Sequence, residues 1–270
     1  MIMAVPSFGV GTFRLTGDVV IESVSNAIEL GYRAIDTAQI YQNESDIGKA
    51  LKRADINRSD LYITTKVWVD NYERDKLIQS VKESITKLGV EYLDLVLIHW
   101  PAPTSNVAIE EYLLALAEAK RLGLTKEIGV SNFTIELIDK AVDILGAENI
   151  ATNQIELSPY LQNNKLVDHM KTLGIKVTSY MTLAYGSVLN DSTINDLASE
   201  LQITPAQLTL AWALHKGYAV IPSSTKRENL ASNLQALKIV LDEKTVQLID
   251  NLERDGRLVN PEGLAPEWDI

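Results

Sequence analysis

The sequence contains no cysteine, which excludes a disulfide framework, a thiol nucleophile and a thiolate metal site. Its three histidines, His99, His169 and His215, are scattered along the chain and lack the spacing of metal ligands. We therefore expect no bound metal. The absence of cysteine also fits a reducing compartment, so we expect a cytoplasmic protein.

Long apolar runs are missing as well. No stretch of about 18 uncharged apolar residues, the length that suggests a membrane-spanning helix, occurs in the chain. Residues 1–6 lack the basic segment and apolar core of a signal peptide. The 36 acidic residues outnumber the 25 basic ones, and the net charge of -11 argues against nucleic acid or an anionic membrane as a partner. The binding of a small anionic ligand is still possible at any place where basic residues cluster.

Short β-branched runs alternate with longer segments of helical period throughout the chain. The predicted strands are 7–12, 34–37, 61–67, 93–99, 126–131, 151–156, 176–180 and 219–223. The predicted helices include 19–30, 74–88, 109–122, 135–145, 205–215 and 242–251. Six glycines each follow a helical segment, where a left-handed cap is favoured: Gly31, Gly89, Gly123, Gly146, Gly174 and Gly217.

This repeat predicts an α/β fold of the (β/α)8 TIM-barrel type rather than an open sheet, because about eight strands with following helices fit this length. No linker or low-complexity tract interrupts the pattern. We expect a single domain over residues 1–270 that ends in a short irregular tail from residue 255 onward.

Polar side chains stand at the ends of three successive predicted strands. Asp36, Lys66 and His99 each close or follow an apolar run, and Tyr41 comes shortly after Asp36. Because the carboxyl ends of barrel strands meet on one rim, where active sites form, these side chains should lie together. Their burial is too costly unless they satisfy one another. The set therefore predicts a proton-donating site.

The expected chemistry follows from the acidity of tyrosine, whose ordinary pKa of about 10 makes it a poor proton donor near neutral pH. The ammonium of Lys66 would lower the pKa of Tyr41, while Asp36 would hold Lys66 charged and oriented. His99 could donate a hydrogen bond to a carbonyl oxygen. Since the chain offers no evident nucleophile of its own, a hydride from a cofactor is expected.

The usual dinucleotide fingerprint is absent. Gly9 and Gly11 begin one, but Arg14 stands where a third glycine is needed. A nicotinamide cofactor must then bind on the barrel rim, where Gly11 and Thr12 end the first predicted strand.

Other strand ends supply further groups for the cofactor. Ser131, Asn132 and Gln154 are suitable donors and acceptors for a carboxamide, and Tyr180 could stack on a nicotinamide ring. Three aromatic residues that follow predicted strands, Phe13, Trp68 and Trp100, either pack under loops or line the substrate pocket.

The segment after the last predicted strand is the expected phosphate site. It contains Ser223, Ser224, Thr225, Lys226 and Arg227 and leads into a helix. Barrels frequently bind phosphate at this place with loop amides and a helix amino terminus. Lys226 and Arg227 add local positive charge to an acidic protein, which suits a phosphorylated ribose.

Six segments, in chain order, resemble the signatures of the aldo-keto reductases. They are residues 31–38 with Tyr41, 65–68, 97–101, 129–133, 153–156 and 221–224. The resemblance runs from about Phe8 to Asn233, and Asn233 is assigned to the cofactor site with it. It implies an NADPH-preferring carbonyl reductase in which Tyr41 is the general acid and Asp36, Lys66 and His99 are its partners.

Within this family, residues 178–186 and 258–269 are most similar to the bacterial 2,5-diketo-D-gluconate reductases of the B type. The similarity implies small-molecule carbonyl substrates such as methylglyoxal and keto-sugar acids, including 2,5-diketo-D-gluconate. Because family members are often monomers, we also expect a monomer.

The chain departs from the family pattern near the ribose phosphate. Ser223 stands where many members have lysine, and Asn229 stands where many have arginine. The positive charge near the ribose phosphate must then come from Lys226 with Arg227. NADH is therefore a possible cofactor as well as NADPH. The tail is also shorter than in the longer members, which indicates small or flexible substrates.

Two other functions stay open at this stage. Lys66 at a strand end resembles, in position only, the Schiff-base lysine of aldolases, although Asp36 beside it should keep the amine protonated. A cofactor-binding sensor or regulatory subunit with little turnover could keep the whole set of motifs.

Overall fold

The computed structural model describes residues 5–269. Residues 1–4, which begin the segment expected to lack signal-peptide character, and Ile270, the last residue of the predicted tail, lie outside the described residues. Between residues 5 and 269, every helix is too short or too polar to cross a membrane.

Strands and helices alternate along the chain. The strands are β1 Val10–Gly11, β2 Ala34–Asp36, β3 Tyr62–Val67, β4 Leu93–Ile98, β5 Thr125–Ser131, β6 Ile150–Glu156, β7 Lys176–Tyr180 and β8 Ala219–Val220. The helices are α1 Gly17–Leu30, α2 Glu44–Arg53, α3 Arg74–Leu88, α4 Ile109–Arg121, α5 Ile135–Leu145, α6 Asn164–Leu173, α7 Ser192–Glu200, α8 Pro205–His215, α9 Arg227–Leu234 and α10 Glu243–Asp250.

The strands form one parallel sheet in the order β1 to β8. The sheet closes on itself, because Phe8 forms a parallel bridge with Val220 and the Gly9 amide donates a 2.9 Å hydrogen bond to the Val220 carbonyl. The predicted (β/α)8 barrel is confirmed.

Side chains alternate across the barrel wall with the period of two that a strand imposes. Ala34, Tyr62, Leu95 and Leu97 form a small apolar cluster of their own. Their neighbours along the strands, such as Ile35, belong instead to the large core that packs the sheet against the helices. Asp36 and Lys66 follow Ala34 and Tyr62 in steps of two, so they stand on the inner face at the carboxyl end of their strands.

The first and last strands are shorter than predicted. The predicted strand 7–12 is reduced to Val10–Gly11 with the bridge at Phe8, and the predicted strand 219–223 ends at Val220. Pro222 has no amide hydrogen to continue a ladder, although its carbonyl still accepts a 3.2 Å hydrogen bond from the Gly11 amide. All six glycines at the predicted caps have positive φ, but Gly146 has ψ of 138° and is not in the left-handed helical region.

Helix α2, which was not among the named predictions, lies directly against α3. A side chain at Gly48 of α2 would place its Cβ only 2.4 Å from the Lys87 carbonyl oxygen, so only glycine permits this approach. The contact matters for the site because α2 begins immediately after the turn that carries Tyr41.

Candidate active site

An ion pair between Asp36 and Lys66 lies at the base of the site. Asp36 ends β2 and Lys66 stands near the end of β3, and the Lys66 ammonium donates to Oδ1 of Asp36. Lys66 also donates a 2.9 Å hydrogen bond to the Thr37 carbonyl. Both side chains are almost completely buried, so each requires the other as a partner.

The second oxygen of the Asp36 carboxylate is satisfied from across the barrel. Gln154, on β6, donates a 2.7 Å hydrogen bond from Nε2 to Oδ2 of Asp36. Sequence reasoning had placed Gln154 with the cofactor and had not predicted this contact. The carboxylate therefore joins the predicted catalytic group to a residue predicted for the cofactor site.

Tyr41 ends a short 3-10 turn, Gln39–Tyr41, that follows β2. The Gln39 side chain fixes this turn, because its Oε1 accepts from the Trp68 amide and its Nε2 donates to Ser80, each at 3.0 Å. The Tyr41 ring centroid lies 5.1 Å from Nζ of Lys66. Gln39 was not recognised from the sequence, since nothing local marks it as more than a turn residue.

His99 follows β4 and meets Tyr41 edge-on, with ring centroids 5.8 Å apart. The Trp68 ring also meets the imidazole edge-on, with ring centroids 5.4 Å apart. Nδ1 of His99 is buried and has no hydrogen-bond partner among residues 5–269. The structure thus brings Asp36, Tyr41, Lys66 and His99 together, as expected.

The protonation states follow from burial and charge. Burial lowers the pKa of His99 well below its usual value, and the Lys66 ammonium lowers it further, so the imidazole is neutral. Burial alone would lower the pKa of Lys66, but Asp36 and Tyr41 outweigh it and the ammonium persists.

Tyr41 differs from the expectation of a lowered pKa. Burial raises the pKa of the phenol above its ordinary value, and the opposing effect of Lys66 does not outweigh it. The physical reason is that desolvation of a phenolate is costly in this half-buried position. Lys66 nevertheless makes the phenolate less costly than burial alone would.

A hydrogen-bonded chain of side chains forms the next part of the rim. Tyr180, which ends β7, donates a 2.7 Å hydrogen bond to Oδ1 of Asn132. Asn132 donates in turn to the His99 carbonyl at 3.0 Å, and Ser131 donates to the Gln154 carbonyl at 2.7 Å. Asn132 adopts a positive φ of 63°, which asparagine tolerates better than most residues.

These groups line a pocket of about 620 Å³, a size typical of small-molecule sites. The predicted residues that line it are Gly11, Thr12, Phe13, Asp36, Tyr41, Trp68, His99, Trp100, Ser131, Asn132, Gln154, Tyr180 and Ser223. Lys66 is buried beneath the pocket and acts on it through Asp36 and Tyr41. All three predicted aromatic residues are therefore at the pocket.

The rest of the predicted phosphate segment lies outside this pocket. Ser224, Thr225 and Lys226 lie between Ser223 of the pocket and the start of α9, and Arg227 and Asn233 lie within α9. Arg227 is already engaged, because its guanidinium donates 2.6 Å hydrogen bonds to Glu29 and Asn26 of α1. Lys226, directly before α9, is exposed.

Sequence reasoning missed several pocket residues. They are Arg14, Leu15, Ile40, Met181, Thr182, Leu183, Tyr185, Gly186, Val259, Pro261 and Leu264. Ile221 and Pro222, which also line the pocket, belong to the signature segment 221–224. Most of the missed residues lie in loops, which carry no periodic signal. Arg14, singled out only as the residue that breaks a glycine fingerprint, lies with its guanidinium 4.8 Å from the Tyr185 ring centroid.

Comparison with known proteins defines the class to which this barrel belongs. The sequence profile of the Aldo/keto reductase family matches residues 7–254. The chain belongs to this family, and it is therefore an oxidoreductase, as the strand-end residues had indicated.

Individual relatives are similar over nearly the whole chain. The methylglyoxal reductase DkgB of Escherichia coli O157:H7 is 60% identical over 267 residues, which cover 99% of this chain and 100% of the relative. A crystal structure assigned as a 2,5-diketo-D-gluconic acid reductase B has a TM-score of 0.93 and 39% identity, with 98% and 94% coverage. A substituted form of Gox0644 in complex with NADPH has a TM-score of 0.89 and 37% identity, with 94% and 92% coverage.

Proposed function

We propose that this protein reduces aldehydes and ketones to alcohols with NADPH, with Tyr41 as the proton donor. The observation that carries the proposal is the meeting of Tyr41, His99 and the Lys66–Asp36 pair at one pocket. The NADPH complex of a related protein supports the choice of cofactor. The similarity to methylglyoxal reductase and to a 2,5-diketo-D-gluconic acid reductase supports methylglyoxal and keto-sugar acids as substrates.

The residues present fit a nicotinamide cofactor. Two backbone segments meet closely at the pocket wall, because a Cβ at Gly11 would lie 2.6 Å from the Ile221 carbonyl oxygen, and the lack of a side chain at Gly11 permits this approach. Ser131, Asn132 and Gln154 would hold the carboxamide, Tyr180 would stack on the ring, and the segment from Ser223 to Arg227 would hold the ribose phosphate. When bound, NADPH supplies the hydride that the protein lacks.

The side chains of the pocket then act on the carbonyl oxygen. The neutral His99 imidazole donates a hydrogen bond that holds this oxygen beside the Tyr41 phenol. Tyr41 gives its proton to the oxygen as negative charge develops there. Lys66 stabilises the phenolate that remains, and Asp36 and Gln154 hold Lys66 in place. A solvent proton restores the phenol once the alcohol leaves.

The decisive assay is the loss of NADPH absorbance when the purified protein is mixed with methylglyoxal, with NADH in parallel. Rapid loss with NADPH and slow loss with NADH would support the reductase and the role of the Ser223 to Arg227 segment. Equal loss with both would contradict the role of that segment. No loss with either, despite measurable cofactor binding and after a panel of aldehydes and keto-sugar acids, would favour the sensor function instead.

A further inference from the structure

A buried carboxylate outside the proposed proton-transfer group holds the carboxyl-terminal tail. Glu156, the last residue of β6, is only 2% exposed. Its Oε1 accepts from the Leu258 amide and its Oε2 accepts from the Val259 amide, both at 2.8 Å. One carboxylate thus clamps two consecutive backbone N–H groups, which are separated from it by about a hundred residues of chain.

The clamp stands where the tail reaches the pocket. Val259, one of the two clamped residues, lines the pocket, and Pro261 and Leu264 line it further along the tail. The three side chains supply an apolar part of the wall that also includes Trp100. The position of this wall depends on where Glu156 places residues 258 and 259.

Other contacts hold the tail on both sides of the clamp. Before it, the Gly256 amide donates a 2.8 Å hydrogen bond to the Tyr160 carbonyl. The Gly263 carbonyl accepts a 2.8 Å hydrogen bond from Thr104, and Asp269 accepts a 2.9 Å hydrogen bond from the Ile135 amide at the start of α5. Trp268 packs edge-on against Trp100 with ring centroids 6.3 Å apart. The tail is therefore fixed at both ends of the segment that lines the pocket.

The surroundings of Glu156 combine burial with two N–H donors that suit a carboxylate. Burial raises the pKa of Glu156, and the opposing effects of the two amides and the nearby Arg257 do not outweigh it. The Arg257 guanidinium lies 3.7 Å from the Trp268 ring centroid and donates a 3.1 Å hydrogen bond to Asn163. A buried charge is costly, but a glutamine in this place would turn its NH2 donor toward one of the two N–H groups, because only one of its terminal atoms is an oxygen.

We propose that Glu156 is a positioning residue that determines substrate specificity, because it holds the apolar tail wall of Val259, Pro261 and Leu264 against the bound carbonyl substrate. The inference rests on the proposed reductase function, since the substrate must be a carbonyl compound. A closed apolar wall favours small, compact carbonyls, which need contact on every side. Release of the wall penalises small substrates more than bulky ones, because bulky substrates still reach the remaining walls.

The test compares Glu156→Gln with wild type in two independent measurements. Hydrogen exchange of the peptide that contains residues 258–264, followed by mass spectrometry, should become faster by about tenfold or more, since a buried donor loses its acceptor. The KM for methylglyoxal should rise by about fivefold or more, with a smaller rise for a bulky aromatic aldehyde and with the Kd of NADPH within about twofold. Glu136→Gln, on the exposed face of α5, is the matched control and should change none of these values.

The outcomes separate the inference from the function on which it rests. Unchanged exchange in Glu156→Gln, or faster exchange with an unchanged ratio of KM values for the two aldehydes, would overturn the inference. A wild-type protein that reduces no carbonyl would instead overturn the proposed function, and the exchange result would still report whether the clamp holds the tail. Should Glu156→Gln fail to fold, Leu258→Pro removes one of the two donors from the tail side, and the same results are expected.

Discussion

Gln154 donates a 2.7 Å hydrogen bond to the same Asp36 carboxylate that holds Lys66. Gln154 on β6 and Asp36 on β2 are 118 positions apart in the chain. Asp36 therefore has both oxygens occupied, one by an ammonium and one by an amide. The orientation of the carboxylate is therefore fixed, and the Lys66 ammonium is held with it next to Tyr41.

Replacement of Gln154 should therefore impair proton transfer as well as cofactor binding. In Gln154→Met, Oδ2 of Asp36 loses its donor while remaining buried, which costs about 1–3 kcal/mol and should lower kcat by about tenfold or more. Gln154→Glu places a second carboxylate beside Asp36 and should be worse than Gln154→Met. Single-turnover rates at saturating NADPH check this prediction, and a loss confined to the Kd of NADPH would contradict it.

Tyr41→Phe tests the proton donor directly. We expect NADPH binding to persist and kcat to fall by about 100- to 10,000-fold, the usual contribution of a positioned general acid. Tyr185→Phe is the matched control, because Tyr185 lines the same pocket but is half exposed, and its kcat should stay within about twofold of wild type. Retention of most turnover in Tyr41→Phe would remove Tyr41 from this role.

The pKa of His99 gives a pH prediction that needs no substrate. Because burial and Lys66 both lower this pKa, the His99 signal in an NMR titration should stay at its neutral position as the pH falls through about 6.5, the ordinary value. His99→Gln identifies the signal among those of the three histidines. A His99 signal that shifts with a midpoint near 6.5 would show that the imidazole is solvated and charged there.

The same shift has a consequence for stability. The unfolded chain takes up a proton at His99 below about pH 6.5, whereas the folded protein does not. The contribution of the buried, neutral His99 to the free energy of unfolding is therefore fully present above this pH, and it is lost as the pH falls. The free energy of unfolding of His99→Gln should fall less steeply than that of wild type between pH 7 and the acid range.

The position of Arg227 predicts how cofactor selectivity can be changed. Its pairing with Glu29 is an exposed interaction, so Glu29→Gln, which leaves the neutral contact with Asn26, should loosen the guanidinium and strengthen NADPH binding by about 1.5- to 5-fold, with NADH unchanged. Lys226→Ala should weaken NADPH by about tenfold and NADH by less than about twofold. Isothermal titration with both cofactors measures these changes. Equal losses for both cofactors in Lys226→Ala would mean that Lys226 does not contact the phosphate.

The central strands could be predicted from the sequence almost to the residue. Strand β3 was predicted over 61–67 and is observed over Tyr62–Val67, because it is rich in the β-branched and aromatic residues that strands favour. The short strands β1 and β8 were overestimated, since extended chain beside a proline or glycine can be hydrogen-bonded without continuing a ladder. The four residues proposed for proton transfer were found because barrel geometry collects strand ends on one rim.

The remaining contacts of the site could not be predicted, because they depend on pairs that are distant in the sequence. Glu156 meets Leu258, 102 positions later, and Arg227 pairs with Glu29, 198 positions earlier. Neither pair has a local pattern that distinguishes it from ordinary surface charge. The direction of the pKa shift of Tyr41 could not be predicted from the sequence either, because it depends on how strongly burial opposes the Lys66 charge in the folded protein.

The closure of the barrel places a constraint on how the protein is made. The amides of Gly9 and Gly11 donate to the carbonyls of Val220 and Pro222, which leave the ribosome some two hundred residues later. During synthesis, β1 to β7 can pair with their neighbours as they emerge, while the outer edge of β1 stays unpaired until β8 is made. Contacts over such separations form slowly, so this unfinished edge is where the nascent chain is most open to mispairing with another chain.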